Sequence, residues 1–185
     1  MKKILILLPI IGICSSLFAQ APVVQNINAE QKDGTKFVII KADMSGKDDP
    51  GGSPDGVPMF IEVWFKQTAA ETTWQKINNL KQMISETDDP GIASDLPANE
   101  FHDGFGGVEK VSFHLNGVGS ALTPKVFAWD AGAESSEFNS SDAVIRIIAF
   151  YTKMDEFGSE KPADQQVSGW NGSGEFTLDG APGAN

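Results

Sequence analysis

Closely spaced carboxylates in a glycine-rich loop are the first residues of this sequence whose types suggest chemistry. Asp48, Asp49 and Asp55 lie among glycine, proline and serine in the segment 45–56. Carboxylates, together with carbonyl groups that glycine allows to turn inward, are the ligands that Ca²⁺ prefers. The same composition is typical of a solvated turn, and the spacing is not that of an EF-hand. Calcium is therefore the one cofactor that the sequence suggests, with Asp48, Asp49 and Asp55 as its ligands.

Two aromatic residues of one predicted strand form a second candidate site. Phe60 and Trp64 share a side of the strand 58–66 with Glu62, and the opposite side is uniformly apolar. Exposed aromatic rings beside acids are typical of sugar-binding surfaces, which contact the apolar faces of sugar rings. The alternative is that a second sheet or a long loop covers both rings, as happens to most tryptophans. Phe60 and Trp64 are the predicted binding residues.

Residues for nucleophilic or metal-dependent catalysis are scarce. The only histidines are His102, in a predicted loop, and His114, which faces outward from a predicted strand. The 25 acidic side chains could be paired for glycoside cleavage in many ways, so no particular pair is indicated. We therefore expect no enzyme. The alternative is a small secreted metal-dependent hydrolase that uses the loop carboxylates.

The N-terminus has the features of a secretory signal peptide. Residues 1–3 carry two lysines, residues 4–13 form an apolar run, and small residues follow before the predicted cleavage after Ala19 or Ala21. The run is shorter than the ~20 residues that a membrane helix needs, so no stable membrane insertion is expected. The sequence predicts a signal peptide over residues 1–21 and a bacterial protein that is secreted or periplasmic.

Removal of the signal peptide changes what the mature chain can do. Cys14 is the only cysteine, and Ile13 before it does not suit lipoprotein processing, so the mature chain has no thiol. The 14 basic side chains fall to 12 without Lys2 and Lys3, which against 25 acids leaves a net charge near −13. Nucleic-acid binding is excluded, because it requires a clustered basic surface.

Glycine and proline punctuate short apolar runs along the mature chain, a pattern that predicts strands joined by turns. No run has sustained helical periodicity. The predicted strands are 23–29, 37–44, 58–66, 72–77, 80–84, 108–115, 124–129, 143–152 and 175–178. The first is expected at a sheet edge, and the second is expected to be central because both of its sides are apolar. The eighth, a near-continuous apolar run, is expected to be buried on both faces.

These strands predict an all-β fold, an antiparallel sandwich of seven to nine strands with one long inserted loop, 85–107. The domain is expected to span residues 22–168, and the tail 169–185 to add one strand and then become disordered. The predicted core residues are Phe37, Ile39, Ile61, Val63, Phe113, Val126, Ile145 and Ile147.

Two segments carry a family resemblance. V-Q-N-I-N-A-E-Q-K-D-G-T at 24–35, and W-D-A-G-A-E at 129–134 ahead of an apolar strand with Arg146, resemble the Ig-like or fibronectin-III-like module of bacterial exported proteins. That module is of the kind found ahead of formylglycine-generating-enzyme-like (sulfatase-modifying-factor) domains. The resemblance covers residues 22–152, and the chain departs from it in the 85–107 loop and in the tail.

The resemblance implies a sandwich fold of Ig-like dimensions and an accessory or adhesive role, and it supplies no catalytic residues. Together with the scarcity of catalytic groups, it favours an exported non-catalytic binding or structural module. The expected partners are a glycan, a cell-surface protein or another copy of the chain. The sequence does not determine the oligomeric state.

Overall fold

The structure is a computed structural model. It describes residues 21–48, 59–102, 108–116, 118–154, 160–168 and 171–179. The predictions for the signal peptide, for Asp49 and Asp55, and for the last six residues lie outside the described part of the chain.

The described residues form thirteen strands and one short helix, three of the strands having only two residues. The elements are β1 (Val23–Gln31), β2 (Phe37–Ser45), β3 (Met59–Lys66), β4 (Gln75–Lys76), β5 (Lys81–Met83), β6 (Ser94–Asp95), β7 (Ala98–His102), β8 (Val108–Leu115), β9 (Thr123–Asp130), α1 (Ala131–Glu134), β10 (Asn139–Met154), β11 (Glu160–Val167), β12 (Asn171–Gly172) and β13 (Phe176–Asp179). In the described ranges no helix is long and apolar enough to cross a membrane.

The strands pair into two antiparallel sheets. The first has the order β1-β2-β9-β5-β6, and the second has the order β11-β10-β3-β8-β7. In the second sheet, β12 and β13 also pair with β10, and β4 pairs with β3. The predicted all-β fold is confirmed, and two antiparallel sheets fit a β-sandwich. The predicted edge position of β1 and central position of β2 are also found. β10 is fully buried on its inward side and only partly buried at Val144, Arg146 and Ile148.

One hydrophobic core takes side chains from both sheets. Its largest fully buried members are Trp129, Phe65, Phe113, Phe127, Ile40, Met44, Met59, Ile61, Ile77, Leu80, Leu115 and Ile145. The prediction that alternate residues of β3 face inward is confirmed, because Met59, Ile61, Val63 and Phe65 are all at most 1% exposed. This inward set leaves Phe60, Glu62, Trp64 and Lys66 on the outer side of the second sheet.

Of the core residues predicted on β2, Ile39 is buried, but it packs outside the core that the two sheets share. Val38 and Ile40 enter the shared core, whereas Ile39 belongs to a smaller cluster with Met83 and Ala128. Phe37 and Val126, both predicted core residues, are only partly buried against that smaller cluster. Both sides of β2 are apolar, so a two-residue period cannot tell the interior from the outer side, which Met83 of β5 helps to cover.

The predicted 85–107 loop also needs correction, since it contains β6 and β7. β7 pairs with β8 along its length, from Ala98 opposite Phe113 to Phe101 opposite Lys110. The segment A-N-E-F-H lacks clear alternation of apolar residues, so the sequence did not indicate a strand. An edge strand can form without that pattern, because backbone hydrogen bonds to its single neighbour hold it. The turn before β6 is ordered by Asp88, whose carboxylate accepts hydrogen bonds from the backbone N–H of Ile84 and Ser85.

The tail packs on the sandwich through strands and side chains. β13 matches the predicted strand at 175–178, and it pairs with the start of β10. The side-chain amide of Gln31 bonds both backbone groups of Asp179, at 2.6 Å each. Asn171 donates its side-chain amide to the carbonyl of Val24 in the same region. The described tail residues thus lie against the edge strand β1.

Candidate binding site

A cluster of tryptophans and basic side chains occupies the outer side of the second sheet. We call it the tryptophan face, and it consists of Trp64 and Lys66 on β3, Trp74 and Lys76 at β4, Arg146 on β10, and Glu62 on β3. β3 presents its members outward because its inward positions are filled by the core residues. Both tryptophans are partly exposed.

Arg146 connects the two tryptophan rings. In the register of the sheet, Arg146 lies directly opposite Trp64. The guanidinium carbon is 5.7 Å from the centroid of the Trp64 ring and 4.2 Å from that of Trp74. Both distances lie within the range of a cation–π interaction, which contributes ~0.5–2 kcal/mol depending on exposure. Arg146 therefore helps to fix the position of two rings, one from β3 and the other from the residue just before β4.

Two lysines complete the contacts of the rings. The ammonium of Lys66 lies 4.7 Å from the centroid of the Trp74 ring. The ammonium of Lys76 lies 5.6 Å from the centroid of the Trp64 ring. Glu62, only 5% exposed, accepts a hydrogen bond of 3.1 Å from the indole N–H of Trp64. The same carboxylate pairs with Lys76 at 3.4 Å. The rings are thus held by neighbours on three strands.

The tryptophan face is basic in an acidic protein. It contains three cations and one carboxylate, whereas the whole chain has a net charge of −11. Burial lowers the pKa of Arg146, and the charge of Glu62 opposes that change. The basic region borders a groove of about 550 Å³ that is lined by Gln67, Lys76, Glu134 and Glu137 among others.

Phe60, the other predicted binding residue, lies deeper than Trp64. It is 5% exposed, and its ring stacks on His114 at a centroid distance of 5.1 Å and on Phe150 at 6.0 Å. A sugar ring could reach Phe60 only by displacing one of these neighbours. The structure therefore brings Trp64 together with Trp74, and not with Phe60, as an accessible aromatic pair.

The predicted calcium ligands are described only in part. Asp48 is exposed, and its carboxylate accepts hydrogen bonds from the backbone N–H and the hydroxyl of Ser120, at 2.8 and 2.6 Å. These bonds hold the pKa of Asp48 below its ordinary value. Asp49 and Asp55 lie outside the described residues. Within the described ranges no group of three potential metal-ligating side chains is found.

The two histidines are far apart along the hairpin of β7 and β8. His102 lies opposite Val108, and His114 lies six residues further along β8. Six residues of extended strand span ~20 Å. The register therefore places the two histidine positions at opposite ends of β8.

The W-D-A-G-A-E segment has an evident structural role. Trp129 is a core residue, and the Asp130 carboxylate caps α1 by accepting a hydrogen bond of 2.9 Å from the N–H of Ala133. One oxygen of Glu134 accepts three hydrogen bonds from the turn before β5: from the N–H of Asn78 and of Asn79, and from the side-chain amide of Asn79. The segment therefore ties the turn between β4 and β5 to the end of β9.

Trp74 and Arg146 are site residues that sequence reasoning did not connect to Trp64. Arg146 stands out as the single arginine of the chain, and Trp74 lies in a predicted short strand. Neither position is linked to Trp64 by spacing, because the three meet only through the pairing of β3 with β4 and β10.

Comparison with models of known protein families and with curated proteins finds no match for this chain.

Proposed function

We propose that this chain is an exported, non-catalytic binding module with an Ig-like sandwich fold, and that its tryptophan face binds a glycan. The exported state rests on the signal peptide predicted for residues 1–21, which makes the protein secreted or periplasmic. The non-catalytic role rests on the scarcity of catalytic groups in the mature sequence.

The strand order supports the Ig-like part of the proposal. A constant-type Ig sandwich has strands A-B-E-D in one sheet and C-F-G in the other. When β1, β2, β3, β5, β9, β10 and β11 are taken as strands A to G, they fall in the orders A-B-E-D and G-F-C. The hairpin of β7 and β8 is then an insertion between D and E that extends the second sheet beyond C.

The observation that carries the glycan-binding proposal is the pair of partly exposed tryptophans, Trp64 and Trp74, held by Arg146. Aromatic rings offer large, rigid apolar surfaces that suit the faces of sugar rings, with polar groups at the edge for hydroxyl groups. Their cross-strand contacts fix the rings before a ligand arrives, which lowers the entropy cost of binding.

The test is binding of purified oligosaccharides to the mature protein, measured by isothermal titration calorimetry. We expect Trp74→Ala to weaken binding about tenfold or more, since it removes one stacking surface worth ~1 kcal/mol or more. Trp74→Phe should retain part of the affinity. Ile92→Ala, which shortens a side chain that is 83% exposed elsewhere on the surface, is the matched control and should bind like the parent.

If Trp74→Ala melts cooperatively and binds every oligosaccharide with the affinity of the parent, the tryptophan face is not the glycan site. If a diverse panel of neutral and acidic oligosaccharides shows no binding to the parent, the glycan proposal fails altogether.

A further inference from the structure

We infer that the ligand of the tryptophan face is an acidic saccharide, one that carries carboxylate or sulfate groups. This inference rests on the proposed glycan-binding function and names the class of glycan. It is carried by the placement of Lys66, Lys76 and Arg146 around the two rings.

Charge is distributed unequally over the molecule. The chain has a net charge of −11 and a single arginine, yet that arginine and two lysines lie within cation–π distance of the same two tryptophans. Against these three cations the tryptophan face has the carboxylate of Glu62, and Glu71 adds a second carboxylate where it accepts a hydrogen bond from the N–H of Gln67, directly after Lys66. Cations are therefore still in excess. An acidic surface elsewhere repels anionic ligands, which makes this face the favoured place for an anion to bind.

Among the cations of the tryptophan face, Lys66 is partly exposed and is not the ion-pair partner of Glu62. Glu62 is committed to Lys76 and to the indole N–H of Trp64, so it neutralises the Lys76 side of the face. Lys66 lies on the other side, over Trp74, and is partly exposed. An acidic group on a sugar stacked beside Trp74 can therefore accept hydrogen bonds from Lys66 and from the guanidinium edge of Arg146.

The surface next to the tryptophan face carries carboxylates. The groove lined by Gln67, Lys76, Glu134 and Glu137 borders the tryptophan face, and its carboxylates would repel an anionic chain. An acidic saccharide is thus expected to stay on the outer side of the sheet and not to enter this groove. A neutral saccharide would have no such preference.

The experiment compares three ligands of similar length by calorimetry: a malto-oligosaccharide, the same oligosaccharide after sulfation, and an oligogalacturonate. We expect at least one of the two acidic ligands to bind about tenfold or more tightly than the neutral one. Binding of that ligand should weaken as salt rises from about 0.05 M to about 0.5 M, because exposed charges are screened. Comparison of the sulfated oligosaccharide with the oligogalacturonate shows whether the face prefers sulfate or carboxylate groups.

Variants locate the charge effect. Lys66→Gln should weaken binding of the acidic ligand about tenfold, the equivalent of one charge-assisted hydrogen bond, and should weaken binding of the neutral ligand by a smaller factor, through its contact with Trp74 alone. Lys47→Gln is the control. It also removes one positive charge, but from a residue that follows β2 in the first sheet, so it should have little effect on the affinity for either ligand. Arg146→Lys keeps the charge but loses the planar fork, so it should weaken carboxylate binding in a protein that still folds.

The results that overturn the inference differ from those that overturn the proposed function. Equal affinity for neutral and acidic ligands, or an unchanged affinity in Lys66→Gln, rejects acidic specificity while glycan binding stands. Absence of binding by all three ligands, and by a diverse panel of other oligosaccharides, rejects the glycan-binding function itself, and the inference with it.

Discussion

At the scale of single residues, Glu134 shows how one side chain can join two parts of the fold. Its carboxylate is partly buried and accepts three hydrogen bonds from Asn78 and Asn79 with a single oxygen. Burial raises the pKa of this carboxyl above its ordinary value of 4.5, and the charge of Asp130 adds to the rise, while the backbone hydrogen bonds oppose it. Two substitutions separate the contribution of the charge from that of the hydrogen bonds.

Glu134→Ala should lower the free energy of unfolding by about 1–3 kcal/mol, since three donors lose their acceptor. Glu134→Gln keeps an oxygen at the same place, so we expect a change of less than about 1 kcal/mol at neutral pH. Denaturant unfolding at pH 7 measures both values. Equal losses in the two variants would contradict the role of the three hydrogen bonds.

The raised pKa also predicts the sign of a pH dependence. A carboxyl with a higher pKa in the folded chain stabilises the protein fully below the unfolded value of 4.5, and this contribution is lost as pH rises through the folded value. The stability of the parent relative to Glu134→Gln should therefore fall as pH rises from 4.5 toward neutrality. A relative stability that rises over this interval would contradict the assignment.

At the scale of elements, β10 is the strand on which the second sheet depends. It runs for 16 residues from Asn139 to Met154 and pairs with β3, β11, β12 and β13. Alternate residues, including Ile145 and Ile147, enter the core, and Arg146 between them reaches the tryptophan face. One strand therefore links the packing of the interior to the candidate site.

Ile147→Ala should lower the free energy of unfolding by about 2–5 kcal/mol, because a fully buried side chain is replaced by a cavity. Ile92→Ala removes the same atoms from a side chain that is 83% exposed, so a change within about 0.5 kcal/mol is expected. Chemical denaturation of both variants provides the comparison. A midpoint for Ile147→Ala equal to that of the parent would refute the predicted cost of the cavity.

At the scale of the whole molecule, an excess of acidic side chains makes calcium a natural stabiliser to test. If Asp48, Asp49 and Asp55 converge, their mutual repulsion lowers the stability of the protein without metal, and Ca²⁺ relieves it. A ligand at about 100 times its dissociation constant adds roughly 2.7 kcal/mol, which raises the melting temperature by several degrees for a domain of this size.

Thermal melts in millimolar Ca²⁺ and in chelator test this prediction, with Asp48→Asn as the variant. The amide of the substituted side chain keeps an acceptor for the N–H of Ser120 but lacks the charge, so the effect of Ca²⁺ should shrink. Asp33→Asn, on the exposed turn after β1, is the charge-matched control. Superimposable curves for the parent in the two buffers would end the calcium hypothesis.

The sequence by itself determined the fold class and much of the local structure. Short apolar runs between glycines and prolines favour strands, and the one-sided alternation of β3 placed Met59, Ile61, Val63 and Phe65 in the core, as found. The strand Val108–Leu115 was also found at its predicted bounds. These features depend on residues close together in the chain, which is why the local pattern predicts them.

Only the tertiary structure decided which face of β2 is interior, that Ala98–His102 is a strand, and which residues accompany Trp64. Each of these depends on a neighbour that is distant in sequence: Met83 of β5 on the outer side of β2, β8 beside β7, and Arg146 opposite Trp64. Period-two patterns specify the two sides of a strand but not its partners. The tryptophan face exists because backbone pairing of β3, β4 and β10 brings together side chains that no local pattern connects.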